Sequence, residues 1–199
     1  MNAPIRLLQL LVVLLAVALP LAGCGGDGGE SSVDKAARLA AEQRKNPPTV
    51  SDVTTPPVNA EKVAPGPGEG DIAGKPRIPA QSGEPPSDLV AQDVIVGDGA
   101  EAKEGDTVSV RYVGVLFDGG KEFDSSWSRG KNELFDFEIG GAQVIQGWDQ
   151  GIAGMREGGR RRLIIPSDLA YGAQGSPPTI PANAALVFDV DLVKVKSAG

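Results

Sequence analysis

The chain has 199 residues, 41% of them apolar, a formal net charge of −7, no histidine and one cysteine, Cys24. Without imidazoles and with a single thiol it has no Ser-His or Cys-His nucleophile, no histidine metal site or zinc cluster, and no intramolecular disulfide. From Ser87 onward 11 Lys and Arg stand against 17 Asp and Glu, an acidic balance that does not suit a nucleic-acid backbone. The chemistry falls to carboxylates, hydroxyls, backbone groups and shape, with no metal and no cofactor called for.

The first element is an address. A short head with Arg6 leads into an apolar run from Leu7 to Leu19, broken only by Gln9. The run is shorter than the ~20 residues that span a bilayer and has the layout of a secretory signal. Residues 1–23 therefore read as a signal peptide, and the chain is expected to be exported. "LAGC", ending at Cys24, resembles the lipobox of bacterial lipoproteins, in which the cysteine carries the lipid. That implies a chain held on the extracytoplasmic side of a bacterial membrane, and two or more acyl chains would make the anchor stable. The other reading is an ordinary signal peptide followed by a free cysteine.

Residues 24–86 read as a tether. "DKAARLAAEQRK" suggests a short helix stopping before Pro47-Pro48, and residues 47–86 hold ten prolines and no aromatic. Such a stretch buries too little apolar surface to offset its ordering entropy, so it is expected to stay disordered.

The pattern changes in residues 87–197, where all nine aromatics lie between Tyr112 and Phe188. "DVIV" and "TVSVRYVGVL" alternate as strands, the second with Val108, Val110 and Tyr112 on one face and Ser109 and Arg111 on the other. "FDGGKEFD" reads as a hairpin, and "LFDFEIG", "RRRLIIP" and "ALVFDVDLVKV" complete the set. The basic run Arg160 to Arg162 is expected at a solvated strand end. "QVIQGWDQGIAGM" spaces Val144, Ile145, Trp148, Ile152 and Met155 as one face of a short helix. Trp148 in its first turn is either a plug for the core or the floor of a pocket. The fold class is α+β, an antiparallel five- to six-stranded sheet half-wrapped around one short helix. "SDLAYGAQGSPPTIPANA" is a long loop stiffened by Pro177, Pro178 and Pro181, and long structured loops tend to be functional. Among the converging rings, Tyr112, Tyr171 and Asp124 stand out, because a buried hydroxyl or carboxylate wants a partner.

Four blocks in order, "VRYVGVLFDGGKEFDSS", "GGAQVIQGWDQGIAGMREGGRRRLIIP", "LAYGAQG" and "IPANAALVFDVDLVKV", resemble the FKBP-type peptidyl-prolyl cis-trans isomerases over about residues 88 to 196. The resemblance implies a sheet half-wrapped on a short helix and a proline-containing polypeptide as substrate. It implies catalytic roles for Asp124, Tyr171, Tyr112 and Phe188, and a substrate pocket of Phe123, Phe135, Val144, Ile145, Trp148 and Ile180, with Trp148 as the floor under the proline ring. Macrolides are implied as candidate inhibitors. The partners expected are proline-containing polypeptides and the membrane, with no nucleic acid, and the chain is expected to be a monomer. Ser176 replaces a histidine common among relatives, Thr179 an apolar residue, and "SSWSRGKNEL" runs about two residues longer than in the smallest relatives, all at the pocket rim.

Rotation about a prolyl amide makes and breaks no covalent bond, so it needs neither histidine nor nucleophile. The twisted amide is less conjugated and less polar than the planar one, so a dry aromatic pocket favours it. The alternatives from other classes are a non-catalytic module that holds proline-containing segments in the same pocket, and a general holdase. No segment interrupts Leu134 to Arg160 as an appended flap domain would.

Overall fold

The computed structural model describes residues 60–66, 70–130 and 133–198. The expected signal peptide, Cys24 and the short helix expected at 34–45 lie outside the described residues. Seven strands form one sheet: β1 (Glu61–Lys62), β2 (Val90–Ile95), β3 (Thr107–Leu116), β4 (Glu122–Ser125), β5 (Phe135–Glu138), β6 (Arg160–Ile165) and β7 (Leu186–Lys196). The order is β1-β2-β6-β7-β3-β4, with β5 also on β3. Every pairing is antiparallel except β1 with β2. The six expected strands are β2 to β7, and the seventh is a two-residue addition from the tether. Among the described residues one short α-helix, α1 (Gln146–Ile152), packs on one face against β6.

Strand β3 organises the sheet. It pairs with β7 from Thr107 to Leu116. Its other edge is shared, with β5 opposite Thr107 to Val110 and β4 opposite Val113 to Val115. Tyr112 lies in the gap between the two. Ser125 and the 3-10 turn Ser126–Ser128 fill that gap: the Tyr112 amide donates to Ser126 Oγ at 3.0 Å, and the Ser125 and Ser126 hydroxyls both reach the Tyr112 carbonyl. Buried backbone groups that the sheet leaves unpaired are thus satisfied by side chains.

The period-2 alternation of the strands divides the core into two layers. On the helix face lie Val108, Val110, Tyr112, Trp148, Ile152, Leu163, Ile165, Leu186, Phe188, Val190 and Leu192. On the outer face lie Val113, Val115, Phe117, Ile164, Ala185 and Val187. The expected half-buried β3 is therefore covered on both sides, with Ser109 only 4% exposed.

Two expectations change. Arg160, Arg161 and Arg162 are not at a solvated end but are 1%, 4% and 8% exposed. Each finds a carboxylate across the sheet: Arg160 with Asp191 at 2.6 Å, Arg161 with Asp93 at 2.6 Å, Arg162 with Asp189 at 2.7 Å. Paired, bidentate guanidiniums tolerate burial that a lone charge does not. Arg161 also donates to the carbonyls of Gly151 and Ala153, which ties the C-terminal end of α1 to β6. The ordered structure also begins well before residue 87. Residues 70–80 cross the outer face, with Pro76 buried and Ile78 packed on the second layer beside Trp127, so this part of the expected tether belongs to the folded unit.

Candidate active site

The helix sits close to the sheet because two glycines face it. A Cβ at Gly147 would lie 2.5 Å from Ile165 Cγ2, and one at Gly151 2.6 Å from Leu163 Cδ2, both closer than packed carbons approach. This close seating drives the next residue, Trp148, into the middle of the helix-face core at 1% exposure.

Four rings surround the indole. Tyr112 and Phe188 meet it edge-on with centroids at 5.2 Å, Phe137 at 5.7 Å and Phe135 at 6.2 Å. Phe123 stands at right angles to Phe188, 5.5 Å away. Gly114 makes room for these last two rings, since a Cβ there would fall 2.6 Å from Phe188 and 2.8 Å from Phe123. T-shaped pairs of this kind add ~0.5–1.5 kcal/mol each beyond their buried area. Val144, Ile145 and Ile180 belong to the same buried cluster, and Phe123, Phe135 and Tyr171 pack against it half-buried. Trp148 is thus a plug by its edges. The surface around it is made by the half-buried rings.

A polar triad stands beside the rings. The Tyr112 hydroxyl donates to Asp124 Oδ2 at 2.8 Å and accepts from Arg129 Nη2 at 3.0 Å, and Arg129 Nη1 lies 3.5 Å from Asp124 Oδ1. The Ser125 amide donates to Asp124 Oδ1 at 2.8 Å. The carboxylate, with 9% side-chain exposure, is thus held on two sides. Burial pushes the Tyr171 phenol well above its usual range, and the nearby Asp124 and Tyr112 push it the same way. Tyr171 therefore stays protonated next to Asp124, able to donate a hydrogen bond at any physiological pH.

The loop carrying Tyr171 is fastened to itself. The Ser176 amide donates to the Ile180 carbonyl at 2.8 Å and the Ile180 amide returns a bond to the Ser176 carbonyl at 2.9 Å. The Asn183 amide donates to the Gly172 carbonyl at 2.9 Å. This closes the loop tightly enough to leave Ile180 with no exposed surface.

Nine of the ten expected pocket residues lie in or against the helix-face core, and the tenth, Asp124, is bonded to one of them, Tyr112. Sequence reasoning missed Phe137, although its i, i+2 spacing from Phe135 on an alternating strand places both on one face. It also missed Ser125 and Ser126, whose signal is the cluster of hydroxyls following Asp124 at a strand end.

Comparison with known proteins agrees with this geometry. The family model for FKBP-type peptidyl-prolyl cis-trans isomerases matches residues 99–193. The chain is 52% identical over 122 residues to an FK506-binding protein of Streptomyces anulatus, covering 61% of this chain and 97% of that one. It is 56% identical over 98 residues to the peptidyl-prolyl cis-trans isomerase FPR2 of Saccharomyces cerevisiae, covering 49% and 71%. The crystal structure of AtFKBP13 superposes with a TM-score of 0.51 at 39% identity, over 56% of this chain and 96% of that one. Sheet and helix have the FKBP fold, and the chain belongs to the FKBP-type peptidyl-prolyl cis-trans isomerases. It is a peptidyl-prolyl isomerase.

Proposed function

We propose that this isomerase turns X-Pro bonds of exported polypeptides while anchored to a bacterial membrane through lipid on Cys24, and that the ring cluster around Trp148 is where it does so. The observation that carries the site is the juxtaposition of a water-excluding aromatic cluster with a fixed carboxylate, Asp124, held by Tyr112 and Arg129. The proline ring enters between the half-buried Phe123, Phe135 and Tyr171 and, as those side chains part, rests against Trp148. Phe188, Val144, Ile145 and Ile180 close around it.

Rotation has a barrier of roughly 18–20 kcal/mol because the planar amide is conjugated. Twisting removes the conjugation and lowers the polarity of the carbonyl, so the planar ground state loses more than the twisted state on leaving water. The rings supply that dry surface. The Tyr171 hydroxyl and the Ile145 backbone N–H hold the substrate's flanking carbonyls, and Asp124 fixes the hydrogen bonding next to the rotating bond. No proton need move at any step. Selectivity for the residue before proline lies at the rim, where Ser176 and Thr179 leave small polar side chains on the loop.

Export and anchoring rest on the apolar run before "LAGC" and on the tether that follows. The full-length chain expressed in a bacterial host is expected in the membrane fraction with a mass increase at Cys24, and Cys24→Ser is expected to be soluble and unmodified. A wild-type chain recovered soluble and without added mass would contradict the anchor. Isomerisation in vitro tests the site separately.

A further inference from the structure

Residues 71–80 lie upstream of the family match at 99–193 and run across the outer face of the sheet, on the opposite side from Trp148. Their contacts concentrate on the hairpin formed by β3 and β4. The Ile72 carbonyl accepts from Arg111 Nη2 at 2.8 Å, and among the described residues it is the one acceptor for that guanidinium. Arg111 in turn stacks on Trp127, 4.6 Å from the ring centroid. Lys75 pairs with Glu122 of β4 at 2.8 Å. Ile78 packs on Val113, Val115 and their neighbours together with Trp127. Ala80 lies beside the β3–β4 turn, 3.6 Å from where a Cβ on Gly120 would be. Farther along the sheet, the Gly74 carbonyl accepts from Arg160 at 3.0 Å.

The hairpin held in this way carries half of the polar site. Strand β4 is an edge strand of four residues, joined to β3 by three pairs. It bears Phe123 and Asp124, and the turn after it bears Trp127 and leads to Arg129. A short edge strand is among the least protected elements of a sheet, yet these side chains must hold Asp124 to within about half an ångström for an aligned site. We infer that residues 71–80 form a strap that positions β4 and the Ser126–Ser128 turn from behind, and so sets Asp124 and Arg129 in place beside the ring cluster. The strap touches no substrate. Lys75, Ile78 and Arg111 are positioning residues, and their effect on turnover rests on the role assigned above to Asp124.

The test uses the full-length chain with residues 71–80 replaced by a Gly/Ser segment of equal length, beside Ile78→Ala, Ile78→Val and Asp124→Ala. Hydrogen exchange and peptide isomerisation are read on each. The strap replacement is expected to raise exchange over residues 122–129 while β6 and β7 stay protected, and to lower kcat/KM about tenfold, chiefly through kcat. Ile78→Ala is expected to give the same pattern on a smaller scale and Ile78→Val to restore it. Should the replacement fail to fold, the Ile78 pair decides. Exchange over 122–129 that does not change, or exchange that rises equally across the whole sheet, overturns the positioning role. A strap that moves exchange as expected while Asp124→Ala leaves activity intact would overturn the catalytic part of the inference together with the role of Asp124, but not the buttressing of β4.

Discussion

Gly147→Ala sets two known effects against each other at the residue next to Trp148. In an open helix, alanine is better than glycine by about 1 kcal/mol. Here the added methyl would sit 2.5, 2.8 and 3.0 Å from three carbons of Ile165, a side chain with no exposed surface. Packed carbons prefer roughly 3.5–4.0 Å, so either α1 lifts from β6 by about 1 Å or Ile165 leaves its rotamer, and overpacking of this kind costs ~1–3 kcal/mol. The clash outweighs the propensity gain. The net expectation is a loss of up to ~2 kcal/mol in urea unfolding with an unchanged m value. Because Trp148 moves with the helix, kcat/KM on an X-Pro peptide should also fall about tenfold, or ~1.4 kcal/mol. In an Ile165→Ala background, where the three opposing carbons are gone, the same glycine change should cost at least ~1 kcal/mol less. A Gly147→Ala protein as stable and as active as the wild type would refute the close seating of helix on sheet.

Three other outcomes follow from the same geometry. Tyr112→Phe removes a hydroxyl bonded to both Asp124 and Arg129; it should cost ~1.5 kcal/mol in stability and lower kcat/KM, measured by chevron analysis and peptide isomerisation on the same preparation. Tyr171→Phe should lower activity too, while the wild-type rate shows no step from Tyr171 ionisation up to about pH 10, since burial holds that phenol protonated. Asp191 is pushed by burial from 3.8 up to about 6, against the pull of Arg160 and Arg111. Between those values the folded chain keeps a proton that the unfolded chain has released. Its contribution is therefore full below about pH 4 and is lost as pH rises through about 6, by no more than ~3 kcal/mol. Urea midpoints from pH 4 to pH 7 should show this slope in the wild type and not in Asp191→Asn.

Much of the helix face was readable from the sequence because its signals are local. The alternation of Leu186, Phe188, Val190 and Leu192 and the helical spacing around Trp148 each lie within a dozen residues, and they fix which side chains meet. The outer face was less readable. Arg160 to Arg162 look solvated when read along the chain, since what allows their burial is Asp189 and Asp191 on a strand some thirty residues away and Asp93 much earlier. A sharper reading would have noted Asp189 and Asp191 alternating with apolar residues opposite an arginine run. The strap is harder still. "DIAGKPRIPA" has no periodicity and few apolar residues, and it is ordered by backbone carbonyls that accept from Arg111 and Arg160, a contact that leaves no mark in side-chain pattern. Phe137 was within reach by spacing, whereas the bonds from Ser125 and Ser126 to Tyr112 depend on the gap between β4 and β5, which appears only once both strands are placed on β3.

The ring cluster beside Asp124 is the proposed seat of prolyl isomerisation. The most direct measurement is the cis-to-trans rate of a set of short X-Pro peptides with the wild type, Asp124→Ala and Trp148→Leu, each verified as folded by circular dichroism. Clear acceleration by the wild type and loss of most of it in both variants are expected. Wild-type rates equal to the uncatalysed ones for every residue before proline, or folded variants as fast as the wild type, would contradict it.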